Sequence, residues 1–152
     1  MMKPELDLVF ELNGVLDQAL VVGDTPQGLR RMVAIKSGTV EGPGLRAVIL
    51  PGGGDWQFVR SDGVSQLEAR YLIQTDDGVR IQVENYGLRH GPDSVMKRLA
   101  AGESVDPSEY YFRAAPRFSA PAGKYEWLNR HLFLCSGTRA PLGIRLWIYK
   151  VV

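Results

Sequence analysis

The sequence predicts an all-β protein, a single closed antiparallel β-barrel with one short helix. Three observations lead there. The 152 residues include 17 glycines and 9 prolines, an excess over ordinary usage that falls in turn-like clusters and argues against a helical bundle. Between the clusters lie about ten short runs with strand patterning. Two Asp-Gly dipeptides, Asp62-Gly63 and Asp77-Gly78, join neighbouring runs at hairpin spacing. The length suits one domain, residues 1–152, large enough to bury a core without staples.

The elements follow in order. Residues 5–12 alternate, with Leu6, Leu8, Phe10 and Leu12 opposite Glu5, Asp7 and Glu11, and Asn13-Gly14 reads as the turn that ends them. Ala19–Val22 is a short apolar run. Residues 31–40 form a strand that stops at Gly42-Pro43-Gly44, and residues 45–50 another that stops at Pro51-Gly52-Gly53-Gly54. Residues 55–60, 66–75 and 79–86 make a three-stranded meander across the two Asp-Gly turns. Pro92–Ala101 reads as the helix: Pro92 suits its first turn, Val95, Met96 and Leu99 share a face, and Gly102 suits its stop. Residues 110–118, 130–135 and 144–151 are strands, while residues 125–129 fit either a helical turn or the start of a strand. Connections this short suit an up-and-down barrel, whose interior has room for one small ligand.

Charge and motifs narrow the function. The formal net charge is +1, with basic residues scattered apart from the doublets Arg30-Arg31 and Lys97-Arg98, so no nucleic-acid partner is expected. Cys135, the one cysteine, lies in an apolar run and reads as a small buried hydrophobe. The acidic N-terminal stretch does not resemble a signal peptide, and no run approaches the length of a membrane span. A soluble, cytoplasmic protein with no membrane partner is therefore expected. Phosphate-loop, dinucleotide and nucleophile-elbow motifs are absent. His90 and His131 are too few and too far apart for a structural zinc site. No metal and no cofactor are expected.

Some polar and aromatic residues exceed what a barrel obviously needs. Asp55-Trp56 follows three glycines at a strand start, where it either lines a barrel mouth or serves the turn and core. Asn85 either caps a turn or points inward. Alternation places Tyr111 and Arg113 on one face of their strand and Tyr110 and Phe112 on the other. With the first pair inside, Arg113 needs an anionic partner, either an internal carboxylate such as Glu84 or Glu68, or a ligand. Tyr71, Trp56, Tyr111 and Trp127 suit either the wall of a small-molecule cavity or a plain core.

These residues also carry a resemblance. Gly23-Asp24-Thr25-Pro26, Gly38-Thr39-Val40-Glu41-Gly42-Pro43, Pro51 to Trp56, Thr75-Asp76-Asp77-Gly78, Asn85-Tyr86-Gly87, Tyr111-Phe112-Arg113, Pro116-Arg117-Phe118 and Tyr125 to Asn129 resemble, in order along nearly the whole chain, the domain-of-unknown-function 3237 family. Ser37, where a second glycine is common, and Ser119-Ala120-Pro121, in place of a polar turn, depart from it. The resemblance implies a calycin-like, lipocalin-like barrel, often a homodimer or higher homo-oligomer. It carries no settled activity. Its recurrent positions match Asp55, Trp56, Tyr71, Asn85, Arg113, Trp127 and Asn129.

The expected function is binding of a small apolar or aromatic metabolite in the barrel interior, with Trp56, Tyr71, Asn85, Tyr111, Arg113, Trp127 and Asn129 as ligand-binding candidates. Arg113 would meet a carboxylate or enolate. The alternative is a cofactor-free isomerase, cyclase or dehydratase in the same cavity. Its catalytic candidates are Asp55 as base, Arg113 as oxyanion stabiliser, and Tyr71 or Tyr111 as proton donor.

Overall fold

The computed structural model describes all residues, Met1–Val152. Ten strands run in chain order: β1 (Leu6–Leu16), β2 (Leu20–Thr25), β3 (Gly28–Gly42), β4 (Leu45–Ile49), β5 (Gly53–Val59), β6 (Ser65–Thr75), β7 (Arg80–His90), β8 (Tyr111–Ser119), β9 (Phe133–Ala140) and β10 (Gly143–Val151). A helix, α1 (Asp93–Ala100), and a 3₁₀ turn, Pro107–Glu109, connect β7 to β8, and a second 3₁₀ helix, Glu126–Arg130, connects β8 to β9. No helix is long and apolar enough to cross a membrane.

All strand pairs are antiparallel, and β1 closes the ring by pairing with both β10 and β3. The ten strands occupy eight positions around the barrel. β3 is long enough to face two strands in succession along each edge. β1 then β2 lie along one edge, and β4 then β5 along the other. β4 and β5 both pair onward to β6, so they are one wall strand interrupted at Leu50–Gly52. Beyond the break at Asp17–Ala19, β2 pairs with β3 alone, leaving Leu20, Val21 and Val22 exposed on a free edge.

Several boundaries differ from the sequence reading: β3 and β7 run longer than 31–40 and 79–86, and two other differences reshape the connections. Asn13-Gly14 is no turn: β1 runs through it, with Gly14 opposite Gly38 on one side and Ile144 on the other. Three strands crowd together there, and a Cβ on Gly143 would overlap the Gly14 carbonyl oxygen. β9 likewise extends through Ser136–Arg139 to Ala140, tightening the connection to β10 to two residues. The Asp-Gly turns form as expected: Gly63 N–H donates to the Arg60 carbonyl at 3.0 Å and Gly78 N–H to the Thr75 carbonyl at 2.9 Å.

The two ends of the barrel are closed differently. At one end the Glu126–Arg130 helix is a plug. Its Leu128 is fully buried, and Trp127 packs with ring centroids 5.9 Å from Phe10 and 6.1 Å from Phe133. The Tyr125 hydroxyl donates to Asp77 Oδ1 at 2.7 Å, tying the plug to the β6–β7 turn. Asn129 grips the backbone of Ala120 with both ends of its amide, each bond 2.8 Å. At the other end α1 lies across the opening with Val95 and Leu99 buried.

The crowded crossing gives a stability test. Gly143→Ala forces a methyl group into backbone that has no flexible atom to yield, and is expected to cost about 2–3 kcal/mol in urea denaturation. Gly44→Ala, where a Cβ meets nothing within 4 Å, should stay within about 0.5 kcal/mol of the parent. Equal midpoints for the two variants would refute the crowding.

Candidate functional site

Inward residues of a barrel strand recur at every second position. At the plugged end those of β6 to β9 are large: Ile73, Ile81, Phe118 and Phe133. At the α1 end they shrink to Ala69, Gly87 and Ala114, which sit close together on β6, β7 and β8. The missing volume is a cavity of about 480 Å³ under α1, within the range of small-molecule sites. Leu12, Val33, Ile35, Leu67 and Leu146 form its apolar walls, Met96 and Leu99 come from α1, and Asp17, Gln18 and Ala19 edge it at the β1–β2 break.

A polar group occupies one side. On β5, Asp55 and Gln57 point inward, and Arg31 faces Gln57 across the β3–β5 register. Arg31 Nε donates to Gln57 Oε1 at 2.7 Å, and Gln57 Nε2 donates to Asp55 Oδ2 at 2.6 Å. The other Asp55 oxygen, Oδ1, is buried with no partner, as is Oδ1 of Asn85. These two residues lie in one cross-strand row with Ala69 between them. Arg89, two positions beyond Gly87 on β7, is only 5% exposed and lies 5.6 Å from the Phe112 ring centroid. Arg139, at the end of β9, lines the rim, its backbone N–H bonded to the Tyr110 hydroxyl at 3.0 Å. Tyr71 borders the cavity from β6.

Burial sets the protonation of these groups. Desolvation pushes the Asp55 carboxyl above its ordinary value, against the opposing pull of the Gln57 hydrogen bond, of Arg89, of the nearby Glu68 backbone and of Arg31. Burial first, then the neighbouring Arg139 and Arg31 charges, lower Arg89 to about 10, which leaves it charged at neutral pH. Burial raises Tyr71 far above a free phenol, so it holds its proton as a neutral donor. Burial also pushes the Cys135 thiol up to about 12, which makes it inert as a nucleophile. The cluster thus offers a carboxyl of raised proton affinity, a retained phenol and fixed cations. That is the equipment for moving a proton beside a stabilised oxyanion.

The sequence-selected residues divide. Asp55, Tyr71 and Asn85 face the cavity together. Arg113 and Tyr111 point outward, a correction: Phe112, Ala114, Pro116 and Phe118 make the apolar face of β8, and that face goes in. Arg113 Nη1 donates to the Phe112 carbonyl at 2.9 Å outside the barrel, and Tyr111 stacks on His90 there. Glu84, offered as its internal partner, instead pairs outside with Arg70 at 3.4 Å. Trp56 must face opposite to Asp55, its strand neighbour, and lies on the outer surface with the Arg30 guanidinium 5.3 Å from its ring. Trp127 and Asn129 belong to the plug at the far end. Arg31, Gln57, Arg89 and Arg139 were missed. Gln57 and Arg89 are legible by alternation from Asp55 and Asn85, but the sequence pattern ends the latter strand at Tyr86, short of Arg89. No group of three or more His, Cys, Asp or Glu is placed to hold a metal ion.

Fold and site define a closed antiparallel barrel with a small polar-ended cavity at one end. The family model described as "Protein of unknown function (DUF3237)" matches residues 4–151, and the chain belongs to that family. A UPF0311 protein of Clostridium acetobutylicum is 41% identical over 144 residues, covering 94% of this chain and 91% of that protein. The crystal structure of a conserved protein of unknown function from Rhodopseudomonas palustris superposes with a TM-score of 0.94 at 35% identity, covering 100% of this chain and 99% of that one. A beta-barrel like protein from Acinetobacter baumannii gives 0.87 at 34% identity, covering 100% and 98%. An enzyme from Penicillium herquei shares the fold, with a TM-score of 0.76 at 20% identity, covering 100% and 97%.

Asp55 supplies a pH test. Because its folded-state value is raised, the folded protein holds that proton more tightly than the unfolded chain does, where the value is about 3.9. Its contribution is fully present below that pH and is lost as pH rises through the folded-state value. Asp55→Asn removes this loss. The melting temperature of the variant minus that of the parent should therefore grow from about pH 4 towards pH 7; a difference independent of pH would refute the raised value.

Proposed function

We propose that the protein binds a small, mostly apolar metabolite inside the barrel, at the end covered by α1. The observation that carries this reading is the cavity of about 480 Å³ whose lining holds two buried oxygens without partners, Asp55 Oδ1 and Asn85 Oδ1. Buried polar atoms are nearly always hydrogen-bonded, and a ligand donor supplies the missing bonds. The apolar walls would hold its body, and Tyr71 and Asn85 would fix its orientation.

A second reading uses the same cavity for a cofactor-free isomerase, cyclase or dehydratase. It is favoured by the free Oδ1 of a carboxyl whose proton affinity is raised by burial. Asp55 would accept a proton from the ligand and return it elsewhere, Tyr71 would be a neutral donor, and Arg89 would take the oxyanion role that Arg113 cannot fill from outside. An Asp55→Asn variant that retains a ligand identified by native mass spectrometry but no longer converts it would select this reading; unchanged conversion would remove Asp55 from it.

The binding reading has its own test. N-phenyl-1-naphthylamine, a neutral probe that fluoresces in apolar surroundings, should bind saturably at one site. Ala69→Phe, which fills the cavity from β6, should weaken that binding by at least about tenfold and leave the fold intact by circular dichroism. Absent binding, or binding indifferent to Ala69→Phe, would overturn the proposal.

A further inference from the structure

Three arginines from three strands, Arg31, Arg89 and Arg139, line one end of the cavity. They are close enough for each to feel the charge of the others. Two carboxylates line the same space. Asp17 is exposed at the mouth, where its Oδ1 accepts the Gln18 backbone N–H at 2.8 Å. Only Asp55 lies among the guanidiniums.

Asp55 does not neutralise them directly. Its Oδ2 is taken by the Gln57 amide, and Arg31 is bonded to the other end of that same amide. None of the three arginines forms a salt bridge. Arg89 is the extreme case: it is 5% exposed and packs against the Phe112 ring. A guanidinium carries five donors in a fixed planar fork. A guanidinium buried beside an open cavity with no protein carboxylate on it is stabilised by an acceptor that enters the cavity. Even with Asp55 ionised, Arg31 and Arg89 outnumber it, and at the exposed rim Asp17 and Arg139 offset each other.

We infer that the cavity takes a ligand with an anionic planar oxygen group, a carboxylate or a delocalised enolate, seated against Arg89 and Arg31. The apolar body of that ligand lies along Leu12, Val33 and Leu146. A planar oxyanion matches the guanidinium fork with two parallel bonds. It also supplies the negative charge that the arginines lack within the protein. This inference rests on the reading of the cavity as a ligand site and names the class of ligand.

The experiment uses 2-naphthoate and 2-naphthamide, near-isosteric molecules that differ in charge, as competitors of N-phenyl-1-naphthylamine on the full chain. In the parent protein the naphthoate should compete at least about tenfold better than the amide. Arg89→Met should bring the two competitors to within about twofold of each other. Should Arg89→Met fail to fold, Arg31→Met, at a half-buried position, is expected to erode the same preference. A neutral probe that binds while naphthoate shows no advantage overturns the anion assignment and leaves the binding proposal standing. A preference that survives both substitutions overturns the assignment to these arginines. A neutral probe that does not bind overturns the cavity reading itself.

Discussion

Closure of β1 onto both β3 and β10 is the constraint from which the rest follows. Once the ring is shut, each strand residue is either inside or outside, and no edge remains along Glu11–Leu16 of β1 through which the sheet can curl open. The interior volume is then set by the ring, so the size of the inward residues decides whether it is filled. Near the plug, Ile73, Ile81, Phe118 and Phe133 fill it and the Glu126–Arg130 helix finishes the packing. Under α1, Ala69, Gly87 and Ala114 leave it open. Both ends obey one alternation; only side-chain volume separates a core from a cavity.

The same division hides an electrostatic asymmetry. Summed over the chain, 18 basic and 17 acidic side chains nearly cancel, and most acids sit outside in ordinary surface pairs such as Arg70–Glu84 and Arg46–Glu41. Inside, Arg31 and Arg89 meet a single inner carboxyl, with Arg139 exposed at the rim. Desolvation makes the buried charges costly, and large inward side chains at the same positions would have stabilised the barrel without the cost. A fold that keeps such groups in a cavity gives up stability where function needs prearranged polarity.

The architecture was legible in the sequence because alternation and turn chemistry are local. The meander, the helix and its glycine stop, and both Asp-Gly hairpins needed only neighbouring residues to be read. What was lost depended on distant partners. Asn13-Gly14 reads as a turn in isolation, and only the approach of β3 and β10 makes it a crossing inside β1. Trp127 and Asn129 look like site residues until the plug places them at the closed end. The faces of β8 were separable from sequence, since positions 110, 112, 114, 116 and 118 are all apolar or small, yet a window stopping at Arg113 does not show it. Arg89 lay just past a glycine that resembled a strand end, although Gly87 is a cavity-lining residue in mid-strand.

The spacing of charge within the polar cluster separates it from a structural ion pair. A buried aspartate and arginine free to collapse would form a direct bidentate pair, which would depress the carboxyl's proton affinity and use up the guanidinium fork. Gln57 prevents that collapse by occupying Asp55 Oδ2 with one end of its amide and Arg31 Nε with the other. The neutral spacer leaves the carboxyl with a raised proton affinity and a free oxygen. Arg89 stands without a salt bridge beside the cavity, and burial keeps Tyr71 protonated at its wall. Acid, phenol and cation are thereby held apart around a volume rather than spent on each other. Such an arrangement has no advantage for a solid core, where the gap would be closed by packing. It suits the ligand site proposed above, whose occupant would bring its own charge.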